Sequence, residues 1–100
     1  MSNPYLEKAK EIVLARIPRE DYSVFLFGSR AEGQERETSD LDIGFLGIKP
    51  VPEKLIREIR EALDESVIPY RVDLVDFHKV DPAFKVIALK KVIVWNQAKN

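Results

Sequence analysis

The strongest constraint in this 100-residue sequence is the stretch Phe25 to Phe45, which reads FLFGSRAEGQERETSDLDIGF. An apolar run ends at Gly28-Ser29, ten residues intervene, and Asp40-Leu41-Asp42 opens a second apolar run. Side chains alternate along a strand, so residues 40 to 45, if extended, project Asp40 and Asp42 to one face and Leu41 and Ile43 to the other. Two carboxylates in one small volume either push a pKa up or share a cation, and hard oxygen ligands suit Mg²⁺, with Mn²⁺ as the alternative ion. Ser29 falls where a strand hands over to a short helix, and the N–H groups and positive dipole there favour phosphate. A phosphate cradle beside a carboxylate pair points to chemistry on a nucleotide.

The rest of the chain supplies a scaffold for this stretch. Asn3-Pro4 starts a helix, with an N-cap side chain followed by proline, and Leu6, Ala9, Val13 and Ile17 recur at helical spacing until Pro18. Tyr22 to Phe27 is continuously apolar, as suits a central strand covered on both faces. Residues 29 to 33 read as a short helical turn closed by Gly33, Gln34 to Thr38 as a polar loop, and the aspartate strand runs to about Gly47. Glu53 to Val67 is the most helix-like segment, with Leu55, Ile59, Ala62, Leu63 and Val67 on one face and opposite charges paired four apart, as in Glu53/Arg57 and Arg60/Asp64.

Tyr70 to Val75 alternates as a third strand, with Val72 and Leu74 on one face and Arg71, Asp73 and Val75 on the other. If the three strands share a sheet, Asp73 can stand beside Asp40 and Asp42. Asp81-Pro82 opens another helix, with Phe84, Ile87 and Ala88 on one face and Lys90 and Lys91 toward its end. Val92 to Trp95 reads as a short closing strand, and Gln97 to Asn100 as a frayed end. His78 reads as a loop residue, and Glu35, Arg36 and Glu37 as a solvated loop. Trp95, with Phe84, Ile87 and Val94, suits either core or an interface.

Bulk properties narrow the functional classes. One hundred residues fit one domain with one core. Sixteen basic against seventeen acidic residues leave no basic surface for stable nucleic-acid binding. The absence of cysteine removes a disulfide framework, a thiolate zinc site and a cysteine nucleophile, and one histidine cannot build a histidine metal cluster. No apolar run approaches the roughly 20 residues of a membrane helix, and the first residues lack a signal-peptide core, so a soluble, cytoplasmic protein is expected.

Gly28-Ser29, the ten-residue gap, Asp40-x-Asp42 and an aspartate in a strand about thirty residues later together resemble the DNA polymerase beta-like nucleotidyltransferase superfamily. GSRAEG with SDLDI, and VDLVD before a proline-containing helix, is similar to the minimal nucleotidyltransferases, the small partners of HEPN-domain proteins in toxin and antitoxin modules. The resemblance implies an α/β fold: a mixed central sheet of three to four strands with helices packed mainly on one side. It implies that Gly28 and Ser29 hold the terminal phosphates of ATP or another nucleoside triphosphate; Arg30, next to them, reads either as a further phosphate contact or as an ordinary salt-bridge residue. Asp40, Asp42 and Asp73 are then the catalytic metal ligands for Mg²⁺, and a nucleoside monophosphate passes to a hydroxyl of the HEPN partner; monomer, homo-oligomer and hetero-oligomer all stay open.

Two positions depart from the family pattern. Glu32 stands where a basic residue is frequent, and Lys91 where glycine often ends the last helix. Three functions are compatible with this sequence: an adenylylating antitoxin, a non-catalytic protein that neutralises its partner by binding alone, and a small-molecule transferase of the aminoglycoside-modifying kind. The last usually carries a further domain.

Overall fold

The computed structural model describes residues 3–33 and 40–99. The expected loop from Gln34 to Thr38, with Glu35, Arg36 and Glu37, lies outside them. Helix α1 (Pro4–Leu14) starts where the Asn3 side chain accepts a hydrogen bond from the Tyr5 N–H at 2.8 Å. It ends before Ile17, which nevertheless reaches the core after a turn closed by Ile17 N–H donating to the Val13 carbonyl at 3.0 Å. Strands β1 (Tyr22–Phe27) and β2 (Leu41–Gly47) pair antiparallel, and β3 (Val72–Asp76) joins β2 in parallel after the crossover helix α2 (Glu53–Asp64). Helix α3 (Pro82–Ala88), capped by Asp81 on the Ala83 N–H, leads into β4 (Ile93–Asn96), antiparallel to β1. The sheet order is β3-β2-β1-β4, so the continuously apolar β1 is central, as its sequence predicts.

Alternation sends Val24 and Leu26 of β1, Leu41, Ile43 and Phe45 of β2 and Val72 of β3 to one face. There they meet Ala9, Ile12 and Val13 of α1 and Ile59 and Leu63 of α2. Phe25, Phe27 and Phe77 pack on the other face beneath α3, with Phe77 centred 4.9 Å from Phe25 and 5.1 Å from Phe27. Two of the three helices thus cover one side, in accord with the expected four-strand, mainly one-sided arrangement.

Three features differ from the sequence reading. Helix α2 stops at Asp64, because the Ser66 hydroxyl donates to the Leu63 carbonyl and diverts the chain, leaving Val67 75% exposed rather than on the apolar face. Its opposite-charge pairs do not close among the described residues, and Arg60 Nη1 instead donates to the Val72 carbonyl at 3.1 Å, tying α2 to β3. The residues after β4 are held rather than frayed, since Ala98 N–H donates to Ser23 Oγ at 2.9 Å and Lys99 N–H to the Glu20 carbonyl at 3.0 Å. No described helix is long and apolar enough to cross a membrane.

Candidate active site

Register brings the site together. In the β1·β2 hairpin Phe27 lies opposite Asp42, and in the parallel β2·β3 pair Asp42 lies opposite Asp73. The carboxyl end of β1 and the amino ends of β2 and β3 therefore meet at one edge of the sheet, with Asp42 in the middle. The two aspartate side chains are close enough that the charge of Asp73 raises the Asp42 pKa, a like-charge crowding that a cation would relieve. Asp40, exposed just before β2, is near enough for its charge to act on Asp42. Arg71 Nε sits 3.8 Å from Asp73 Oδ1 at a largely exposed position.

Gly28 follows β1 with φ +73°, a left-handed conformation that glycine adopts without steric cost. A Cβ there would collide with the Asp42 carboxylate. The chain then makes a single 3₁₀ turn over Gly28–Arg30, with Ala31 N–H donating to the Gly28 carbonyl at 3.1 Å. Gly33 ends the segment with φ +74°, as its position in the sequence predicts. Ser29 is half-buried in that turn. Arg30 is buried, with its guanidinium carbon 4.1 Å from the centre of the Tyr70 ring. Tyr70 is fixed in turn by the Asn3 amide, which donates to its hydroxyl at 2.9 Å, and by an edge contact with Tyr5 at 5.8 Å. The expected phosphate contact thus lies behind the carboxylates, where its charge favours the ionised form of Asp42.

A groove of about 280 Å³ opens at this edge, lined by Phe27, Gly28, Glu32, Asp42, Phe84, Ile87, Ala88 and Lys91. A larger cleft of about 340 Å³ lies between the start of α2 and β3, lined by Val51, Glu53, Ile56, Arg57, Leu74, Asp76 and Lys79. It is the less informative one, since its Asp76 carboxylate is engaged by the Val51 and His78 N–H groups, both at 2.9 Å, in a structural clasp. His78 is accordingly a loop residue. Of the two readings open for Phe84 and Ile87, core or interface, burial in the core does not hold: they stay 43% and 67% exposed and form the apolar wall of the groove that Asp42 also lines, a placement their helical period alone does not reveal.

Burial, then the charges of Asp73 and Asp40, raise the Asp42 pKa above its ordinary 3.8. Among the described residues no three acidic or histidine side chains already close around a point. The donor set nevertheless fits a hard divalent cation: all-oxygen, anionic, crowded enough to repel, and open toward a groove. The sign of the pH effect follows. A carboxyl with a raised folded pKa binds more protons folded than unfolded, so metal-free stability should fall as pH rises above about 3.8 through the raised value. Asp42→Asn should remove that loss, melting higher than wild type at pH 7 and converging with it in acid. Mg²⁺ should raise the wild-type melting temperature at pH 7 and much less in Asp42→Asn. Parallel melting curves for the two proteins across pH would contradict this account.

Comparison with known proteins gives the family and the fold. Residues 5–100 match the family described as polymerase beta, nucleotidyltransferase. The chain belongs to this nucleotidyltransferase family. It is 37% identical over 91 residues to a Haemophilus influenzae protein named "Probable protein adenylyltransferase MntA", covering 91% of this chain and 77% of the relative. A solved structure named "putative minimal nucleotidyltransferase" superposes with a TM-score of 0.69 at 29% identity, covering 93% of this chain and 95% of that one. The fold is also that of an MNT antitoxin solved in complex with a tri-AMPylated Shewanella oneidensis HEPN toxin, with a TM-score of 0.61 at 21% identity over 95% of this chain and 71% of the other.

Proposed function

We propose that this chain is a Mg²⁺-dependent nucleotidyltransferase that moves AMP from ATP onto a hydroxyl of a HEPN-type partner protein, as the antitoxin of the pair. The observation that carries this is the Asp42–Asp73 carboxylate pair, in register across parallel strands and set against the Gly28 turn. The likeness to MntA and the fold shared with an antitoxin bound to an AMPylated toxin support the choice of acceptor. An activity that draws on ATP suits the cytoplasm.

In this reading Asp40, Asp42 and Asp73 hold the cations. When bound, Mg²⁺ supplies charge neutralisation for the triphosphate and acidifies the acceptor hydroxyl. The residues do the rest. Gly28 and Ser29 receive the β- and γ-phosphates on the turn, fixing the α-phosphorus in front of Asp42. Arg30, behind the carboxylates, contributes its positive field to the same phosphates. The acceptor oxygen forms a new bond to the α-phosphorus, the bridging bond to the β-phosphate breaks, pyrophosphate leaves, and Asp73 takes the hydroxyl proton.

The test is transfer of label from α-labelled ATP to the product of the adjacent gene with Mg²⁺ present. Wild type should label it, and Asp40→Asn should label it far more slowly. Equal behaviour of the two, or no label at all, would sink the enzymatic reading. Glu32 in the groove, an anion where phosphates would enter, favours a second reading in which the protein neutralises its partner by binding alone. Asp40→Asn/Asp42→Asn decides between them: full protection of the host by this double variant supports binding alone, and lost protection with the complex intact supports chemistry.

A further inference from the structure

We infer that Lys91 is a phosphate-binding residue of the groove, adding a basic side chain beside the Gly28 turn, whose own Arg30 stacks on Tyr70. The inference rests on the nucleotidyltransferase reading and goes beyond the residues that the family resemblance assigns. Strand β4 pairs antiparallel with β1, with Ile93 opposite Leu26. Carrying that register two residues further brings Lys91 abreast of Gly28, at the mouth of the turn. Lys91 accordingly lines the same groove as Gly28 and Asp42.

Charge then decides what Lys91 does there. The groove's described lining carries two carboxylates, Glu32 and Asp42, against one ammonium, Lys91. Asp73 and Asp40 add further negative charge at its edge. Arg30 is turned under the turn onto Tyr70 and does not line the groove. Cations held by the aspartates offset part of a triphosphate's charge and Arg30 acts from beneath the turn, and Lys91 is the basic side chain among the described residues lining the groove that can meet the remaining phosphate charge directly. Its register position abreast of Gly28, the residue of the phosphate turn, fits contact with the terminal phosphates rather than with the base.

The bland alternative is that Lys91 only compensates the carboxyl end of α3. The two roles separate by experiment. Equilibrium binding of adenosine, AMP, ADP and ATP would be measured with Mg²⁺ and no acceptor, for wild type, Lys91→Ala, Lys91→Arg and Lys91→Glu, each checked for an unchanged melting temperature. A lost charge-assisted contact should weaken ATP binding by about tenfold in Lys91→Ala. AMP and adenosine binding should be unchanged, Lys91→Arg should retain most of the affinity, and Lys91→Glu should lose more than alanine. With acceptor added, KM for ATP should rise while kcat holds.

Wild-type ATP binding in Lys91→Ala overturns the inference. So does an equal loss for all four ligands, or a wild type with no preference for ATP over AMP. Asp42→Asn keeps this failure apart from failure of the transferase reading. If Asp42→Asn cannot label the acceptor while Lys91→Ala binds ATP normally, only the assignment of Lys91 falls.

Discussion

Asp42→Asn should abolish nucleotide transfer, lowering its rate by about a thousandfold or more, since the group lost anchors the charge that stabilises the transition state. Of the three aspartates, Asp42 has the most to lose. It stands opposite Asp73 in the parallel pair, feels the charges of Asp73, Asp40 and Arg30, and lines the groove. Asparagine keeps the shape and a neutral hydrogen-bonding group, so the strands should pair as before. Its melting temperature at pH 7 should rise while activity disappears, as expected where like charges are gathered for function at a cost to the fold. A single-turnover measurement with saturating ATP isolates the chemical step. Residual transfer within a few-fold of wild type would show that Asp42 is not where the cations sit.

The second large effect concerns backbone geometry. Gly28→Ala should lose about a hundredfold in transfer, the scale expected when a reacting group is displaced by roughly an ångström. Two causes coincide at this residue. A φ of +73° disfavours any side chain, costing about 1–2 kcal/mol. The new methyl group would also occupy the space of the Asp42 carboxylate, so Asp42 must move or the turn must open.

Gly33 provides the internal control. Its φ is +74°, yet a Cβ there meets nothing within 4 Å. Gly33→Ala should therefore show a similar loss of stability in denaturant titration, with transfer near wild type. If both alanine variants keep activity, close packing of the turn on Asp42 is unimportant to catalysis. If both lose it equally, backbone conformation alone matters.

Much of this molecule is written in local patterns. Alternation along Leu41 to Phe45 and Val72 to Val75 says which side chains face together, because a strand offers only two faces. Asn3-Pro4 and Asp81-Pro82 mark helix starts, because a side-chain acceptor and a residue lacking N–H solve a helix's end problem within a few residues. Gly28-Ser29 and Asp40-x-Asp42 announce a turn beside paired carboxylates for the same reason. Boundaries were less legible where a distant partner or a side-chain hydroxyl decided them: Ser66 ended α2 early, and Ser23 and Glu20 held residues 98 and 99.

Three things were settled only in three dimensions. The crossover through α2 set β3 parallel to β2 in the register that faces Asp73 with Asp42. The stacking of Arg30 on Tyr70 drew a residue next to the phosphate turn beneath it. The pairing of β4 with β1 carried Lys91 to the groove from the far end of the chain. Each depends on contacts between segments distant in sequence. A chain's own periodicity fixes which way a side chain points, whereas its neighbour is fixed by which elements bury their apolar faces together.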